Sequence, residues 1–263
     1  MTAYHSHRPM PDTLDSPLPL RPNDLYLILA FFSIGYYVVE RIIHTLFRHL
    51  FPAPYRELRA HGKAVPFFGL SMGLLITLFT TPYCYQAYVG LPVRTYVDFS
   101  HPGVGEVCVG ARSILWIEEL SRLGDNPAYL LHHAVSLFAV VTVTWFDLPA
   151  VRYLSGIILS LVSELGTNVT TMLAFCGLKA SNHRWIWWLE CINVATVVVI
   201  RLPAVYLLLF KPWHEGLSWV QQAVWIAPTL FYIAYQVYIT HARIRRLRVA
   251  AKSAREATLA KAR

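Results

Sequence analysis

Long apolar runs, interrupted by short polar and charged stretches, divide this chain into seven segments. They lie at roughly 25–47, 64–88, 105–122, 128–146, 150–172, 185–210 and 219–240, each long enough to cross a hydrocarbon layer at about 1.5 Å of helical rise per residue. In lipid only helices and closed barrels satisfy every backbone polar group. The pattern therefore predicts an all-α fold, a polytopic transmembrane helical bundle of about seven spans. The third segment is the least apolar, carrying Glu106, Arg112, Glu118 and Glu119. It is expected to face the bundle interior or to lie near an interface. The short "DLPA" link makes the fourth and fifth segments a tight antiparallel pair. No internal repeat is visible. Residues 1–24 are polar and Pro-rich without a signal-peptide pattern, and they read as a flexible lead before the first span at 25–47.

Composition agrees with this pattern. Hydrophobic residues make up 56% of the chain and charged residues only 14%, whereas a soluble domain is about a quarter charged. The net charge of +8 is concentrated after the last span, where Arg243, Arg245, Arg246, Arg248, Lys252, Arg255, Lys261 and Arg263 face one acid, Glu256. This basic tail, 243–263, reads as a cytosolic anchor to anionic lipid, and no nucleic-acid partner is expected. The first loop adds Arg48, Arg56, Arg59 and Lys63, and the loop before the sixth span adds Lys179 and Arg184. The other loops (89–104, 147–149 and 211–218) carry only Arg94 and Lys211 as basic residues. Seven spans put every basic loop on one face, so the amino terminus is expected lumenal and the carboxyl terminus cytosolic.

Four cysteines, Cys84, Cys108, Cys176 and Cys191, show no CxxC spacing, which argues against a zinc site or a disulfide framework. The remaining histidines supply no HxxxH or HxxHH groups, so no metal is expected, and no cofactor either. The aromatic clusters "YCYQAY" and "HRWIWW" read as ordinary interfacial anchors. The "NVT" sequon at Asn168 falls at membrane depth and is not expected to be glycosylated. Pro203 is expected to kink the sixth span.

The candidate chemistry lies in polar residues that share one depth. In this topology His132 and His133 sit about one turn into the fourth span, roughly 6–8 Å below the cytosolic boundary. Glu164 lies about 12 Å from the cytosolic end of the fifth span, and Ser160, Ser163 and Asn168 occupy the same half. Glu118 and Glu119 lie near the cytosolic end of the third span, and Glu190, Cys191 and Asn193 in the cytosolic half of the sixth. Intramembrane ionisable groups are expensive and are usually paired or functional. Adjacent helical residues point about 100° apart, so one imidazole is expected to face the interior and the other to pack sideways. Glu164 is expected to fix the tautomer of the inward imidazole. Ser136, one turn after His132, shares its face. Arg201 is read as lying lumenal of this layer, in an ion pair with Glu106 or another neighbour of Arg112, or on a lipid phosphate.

The string "GARSILWIEEL…LLHHAVSLFAV…LSLVSELGTNV…HRW…VVVIRLPAV" resembles the TLC-domain family of multi-span membrane proteins. That family includes ceramide synthases and smaller lipid-homeostasis proteins. The similarity covers residues 60–242, most specifically in the histidine pair, the "SELGT" stretch and the arginine of the sixth span. The resemblance implies six spans arranged as a TLC-type bundle around a cavity, in the endoplasmic reticulum membrane, with membrane lipids as partners and room for a homodimer. It implies His132, His133 and Glu164 as catalytic candidates. It implies Ser136, Ser160, Ser163, Asn168, Glu190 and Arg201 as lipid-binding candidates. In the synthases the pair serves acyl transfer from acyl-CoA to a sphingoid base. Here Ser136 stands where a threonine is usual, and Ser160 and Ser163 stand near two acidic positions. "SELGT" is nearer to the smaller proteins. The leading expectation is thus lipid binding in an intramembrane cavity with an effect on membrane lipid composition; the alternative is N-acylation of a long-chain base.

Overall fold

The computed structural model describes residues 22–92, 103–122, 127–145, 151–178, 183–210 and 218–262. Of the expected lead (1–24), residues 1–21 lie outside the described residues and 22–24 already belong to the first helix; of the expected loops (89–104, 147–149 and 211–218), residues 93–102, 147–149 and 211–217 lie outside them. Among the described residues the fold is entirely helical, with no strand. Helices stand at all seven expected positions. They are α1 (Pro22–Leu50), a short α2 (Pro52–Ala60), α3 (Ala64–Gly90), α4 (Val104–Arg122), α5 (Pro127–Trp145), α6 (Val151–Ser160), α7 (Leu165–Phe175), α8 (Arg184–Thr196), α9 (Leu202–Phe210) and α10 (Trp219–Ala262). Four continuous helical stretches are long and apolar enough to cross a membrane: Ala64–Gly90, Val151–Phe175, Arg184–Ala204 and Trp219–Lys252. Leu130–Thr144 of α5 is a shorter apolar helix.

Two of these stretches are not uniform. A 3₁₀ turn, Leu161–Glu164, joins α6 to α7, and a π turn, Val197–Arg201, joins α8 to α9. Pro203 stands one residue past the π turn, after Leu202; its missing N–H and ring disfavour a regular ladder over the preceding turn, and the backbone there is the wider π turn. α2 and α7 end at Gly62 (φ 66°) and Gly177 (φ 85°). At each end a backbone N–H reaches five residues back, Lys63 to Leu58 O at 2.8 Å and Leu178 to Leu173 O at 2.9 Å. This glycine-terminated cap satisfies carbonyls that the helix leaves free.

α3 is the central element, packed on α4, α6 and α7. Its Gly73 leaves room for side chains of both neighbours, Leu115 and Glu119 of α4 and Asn168 of α7. Its threonines return their hydroxyls to the preceding turn, Thr77 to Gly73 O at 2.7 Å and Thr81 to Thr77 O at 2.6 Å, so they add no unpaired polar atom to an apolar helix. The core between α3, α4, α5 and α6 is built from Cys84, Val109, Trp116, Val140, Leu154 and Ile158. The outside is also apolar: Phe31, Ile34, Phe138, Ile192 and Val199 are each well exposed. An exterior this apolar fits lipid rather than water as its surroundings.

The cysteine expectation is corrected. Cys84 and Cys108 form a disulfide 24 residues apart in sequence. Spacing along one strand of sequence does not reveal it, because the last turns of α3 lie beside the first turns of the antiparallel α4.

Candidate functional site

The polar residues of the expected layer do come together, but in different pairs. His132 and His133, on α5, are both buried, at 7% and 3% exposure. Consecutive on a helix, their rings face different neighbours. His133 turns to α4, where its Nε2 lies 3.2 Å from Glu119 Oε2. An Nε2–H tautomer donates to that carboxylate. Glu119 also lies against α3, and so does Asn168 of α7: a Cβ placed on Gly73 would meet Glu119 Oε1 at 3.7 Å and Asn168 Nδ2 at 3.8 Å. Beside them Arg112 is buried, donates to Thr77 Oγ1 at 2.8 Å and lies 5.7 Å over the Trp116 ring.

His132 turns to α10. Its ring stacks on Tyr235 at 4.2 Å between centroids, 4° from parallel, with Tyr232 at 6.2 Å. Ser136 closes this face by donating to His132 O at 2.8 Å. Aromatic stacking holds the imidazole in one plane without using its nitrogens.

The expected link between Glu164 and an imidazole is corrected. Glu164 forms its ion pair with Arg201, whose other terminal nitrogen donates to Tyr232 Oη at 2.7 Å. Arg201 is fully buried, at 0% exposure, and its guanidinium lies 5.9 Å over the Tyr232 ring. The placement of Arg201 away from the layer, with Glu106 as partner, is corrected with it. The π turn and the long side chain bring the guanidinium to the level of Glu164. Glu106 instead accepts from its own helix start, Gly103 N–H at 3.0 Å. A cation and an anion buried together in an apolar medium stabilise one another, whereas either alone is costly.

A narrow cavity of about 50 Å³ opens between α4, α5, α6 and α10, several times what one water requires. Its wall is apolar except for His132, Ser136, Thr229 and Tyr232, with Trp116, Leu154 and Trp225 among the apolar residues. His133 is not on this wall. Ser160 and Ser163 are not either: they line a separate groove of about 430 Å³ beside Arg152, Thr196 and Ile200, and their hydroxyls donate to Ile157 O and Ser160 O. Glu190 is half-buried on α8, within electrostatic reach of Arg243. The structure thus gathers His132 and Ser136 at the cavity, His133 and Asn168 around Glu119, and Glu164 and Arg201 at Tyr232.

Tyr232 and Tyr235 were not singled out by the sequence reading, nor was Glu119 as the imidazole's partner. The signal was present: Tyr232, Gln236, Thr240 and Arg243 recur every three to four residues on the last span, with Tyr235 three after Tyr232, a polar stripe at helical spacing. Among the described residues no group of three or more His, Cys, Asp or Glu side chains is arranged to hold a metal ion. Compared with family models, with curated proteins and with solved structures, the chain finds no match.

Proposed function

We propose that this chain is an integral membrane protein of TLC-domain type that takes a segment of a lipid chain into the cavity beside His132 and thereby affects the lipid composition of its membrane. One observation carries the reading: an apolar cavity, walled in part by an imidazole and a tyrosine, lies inside a bundle whose exterior is itself apolar. Its volume suits part of one acyl chain rather than a whole lipid, since sites for complete small ligands run to about 300–1,000 Å³. Purified protein carrying a lipid with a photoactivatable group near the chain end tests it. Crosslinks are expected on Ser136, Ala139, Trp225 or Thr229, and Ala139→Phe should abolish them. Labelling confined to outward residues such as Phe138, and unchanged by Ala139→Phe, would sink the reading. On the same reading, His132→Ala with His133→Ala leaves lipid composition largely as in wild type, provided the double variant folds.

The second reading is N-acyl transfer from acyl-CoA to a sphingoid base. The His133–Glu119 pair favours it: an imidazole oriented by a carboxylate at 3.2 Å is the arrangement of a general base. Purified protein supplied with acyl-CoA and a sphingoid base should then form an amide, and no amide across several chain lengths ends it. For location we propose the endoplasmic reticulum membrane, with a lumenal amino terminus and a cytosolic carboxyl terminus. The disulfide supports this orientation, because Cys84 and Cys108 sit at the helix ends that the basic loops assign to the lumen and disulfides persist in oxidising compartments. Protease protection of epitope tags at the two termini tests it.

A further inference from the structure

Beyond Tyr232, α10 carries Gln236, Thr240 and Arg243, spaced by four, four and three residues, so all share one helical face. Tyr232 accepts from Arg201, and Arg243 comes within electrostatic reach of Glu190 on α8. These two pairs fix an antiparallel register of α10 on α8 and the π turn. The register sets Gln236 and Thr240 opposite the stretch between Glu190 and Arg201. Gln236 is 1% and Thr240 6% exposed. Yet Gln236 Nε2, Thr240 Oγ1, Arg201 Nε and Arg243 NH1 have no hydrogen-bond partner among the described residues.

Buried polar atoms are ordinarily bonded, so a seam of them calls for a ligand that supplies what is missing. What is missing is acceptors. Amide and guanidinium nitrogens only donate, and a threonine hydroxyl can donate as well. The charge balance points the same way. Besides its partner Arg201, Glu164 feels the Arg243 and Arg112 guanidiniums, while Glu190 is the other carboxylate facing Arg243. We infer that this seam between α8 and α10 is a subsite for a phosphate group, carried on the headgroup of the lipid whose chain enters the cavity beside His132. A phosphate presents several strong acceptor oxygens and suits guanidinium donors. Tyr232 belongs to both places: it lines the cavity and accepts from Arg201. The inference rests on the cavity reading above and adds the headgroup chemistry to it.

The test uses the full chain, delipidated in neutral detergent, with three probes: dioleoyl phosphatidic acid, dioleoylglycerol and inorganic phosphate. Native mass spectrometry should give phosphatidic acid an affinity about tenfold or more above that of dioleoylglycerol. Gln236→Leu with Thr240→Val should remove that advantage and leave dioleoylglycerol binding unchanged. The delipidated double variant should also melt at a higher temperature than wild type, because apolar groups replace two unpartnered polar ones. A residue that merely held the fold would shift melting in the opposite direction. Should the double variant fail to fold, Arg243→Gln is read in the same assay with the same expected loss. Dioleoylglycerol binding without any preference for phosphatidic acid overturns the subsite alone. Failure of both lipids overturns the cavity reading with it. Inorganic phosphate that binds where neither lipid does overturns the lipid source and makes the ligand a soluble phosphate.

Discussion

Replacing Arg201 by Met removes the guanidinium from the largest fully buried side chain among the described residues while keeping an apolar stem of similar length. Two consequences follow from the geometry. Glu164, 21% exposed, loses the only cation in contact with it among the described residues, and Tyr232 Oη loses its donor at 2.7 Å. Breaking a buried ion pair from one side costs about 3–5 kcal/mol. At about 2–4 °C per kcal/mol for chains of this order of size, the melting temperature should fall by about 6–20 °C. The companion variant Glu164→Gln/Arg201→Met removes both charges, and most of the loss should return, since a buried pair exchanged for neutral groups is often nearly neutral. Thermal unfolding in detergent, followed by the fluorescence of the eight tryptophans, measures both. A single variant within about 1 kcal/mol of wild type, or a double variant that loses the sum of the two single effects, would refute the claim that the pair sits in a low-dielectric interior.

Cys84→Ala with Cys108→Ala opens a cross-link between residues 24 apart, and about 3 kcal/mol of stability should go with it; the melting temperature of wild type with and without reductant checks this. Gly166→Ala places a methyl into the space of the Asn193 side-chain amide, whose Oδ1, Cγ and Nδ2 are its nearest neighbours. It should destabilise by about 1–3 kcal/mol, and Asn193→Ala in the same chain should restore most of that loss, as a double-mutant melting series would show. Glu119→Ala takes the acceptor from His133 Nε2 and should cost about 1–3 kcal/mol. His132, held by Tyr235 rather than by a carboxylate, should keep its ring environment, visible as an unchanged imidazole NMR signal beside a displaced one for His133.

The helices were legible because each apolar run is long and bounded by charge; α1 and α3–α10 stand where those runs stand. That His133 and Glu119 share one level was legible too, since counting residues from a span end measures relative height. Direction around the helix axis was not. Glu164 and Glu119 sit at similar heights, and only packing decides which of them faces His133. Arg201 escaped for a second reason: a π turn adds a residue to the helix just before Pro203, and a long side chain then crosses more than a helical turn. Ser160 and Ser163 share the height of the layer but face the groove beside Arg152. The disulfide escaped because it depends on two helix ends meeting in space.

α10 is unbroken from Trp219 to Ala262, about 66 Å of continuous rod, roughly twice the hydrocarbon thickness of a bilayer. Pro228, Thr229 and Tyr232, near one end of it, form part of the cavity wall. From Tyr232 to Arg243 the rod is tied to its neighbours through Arg201 and Glu190. The basic stretch that follows continues the same helix, so it carries positive charge about 29 Å along the axis past the last of these ties.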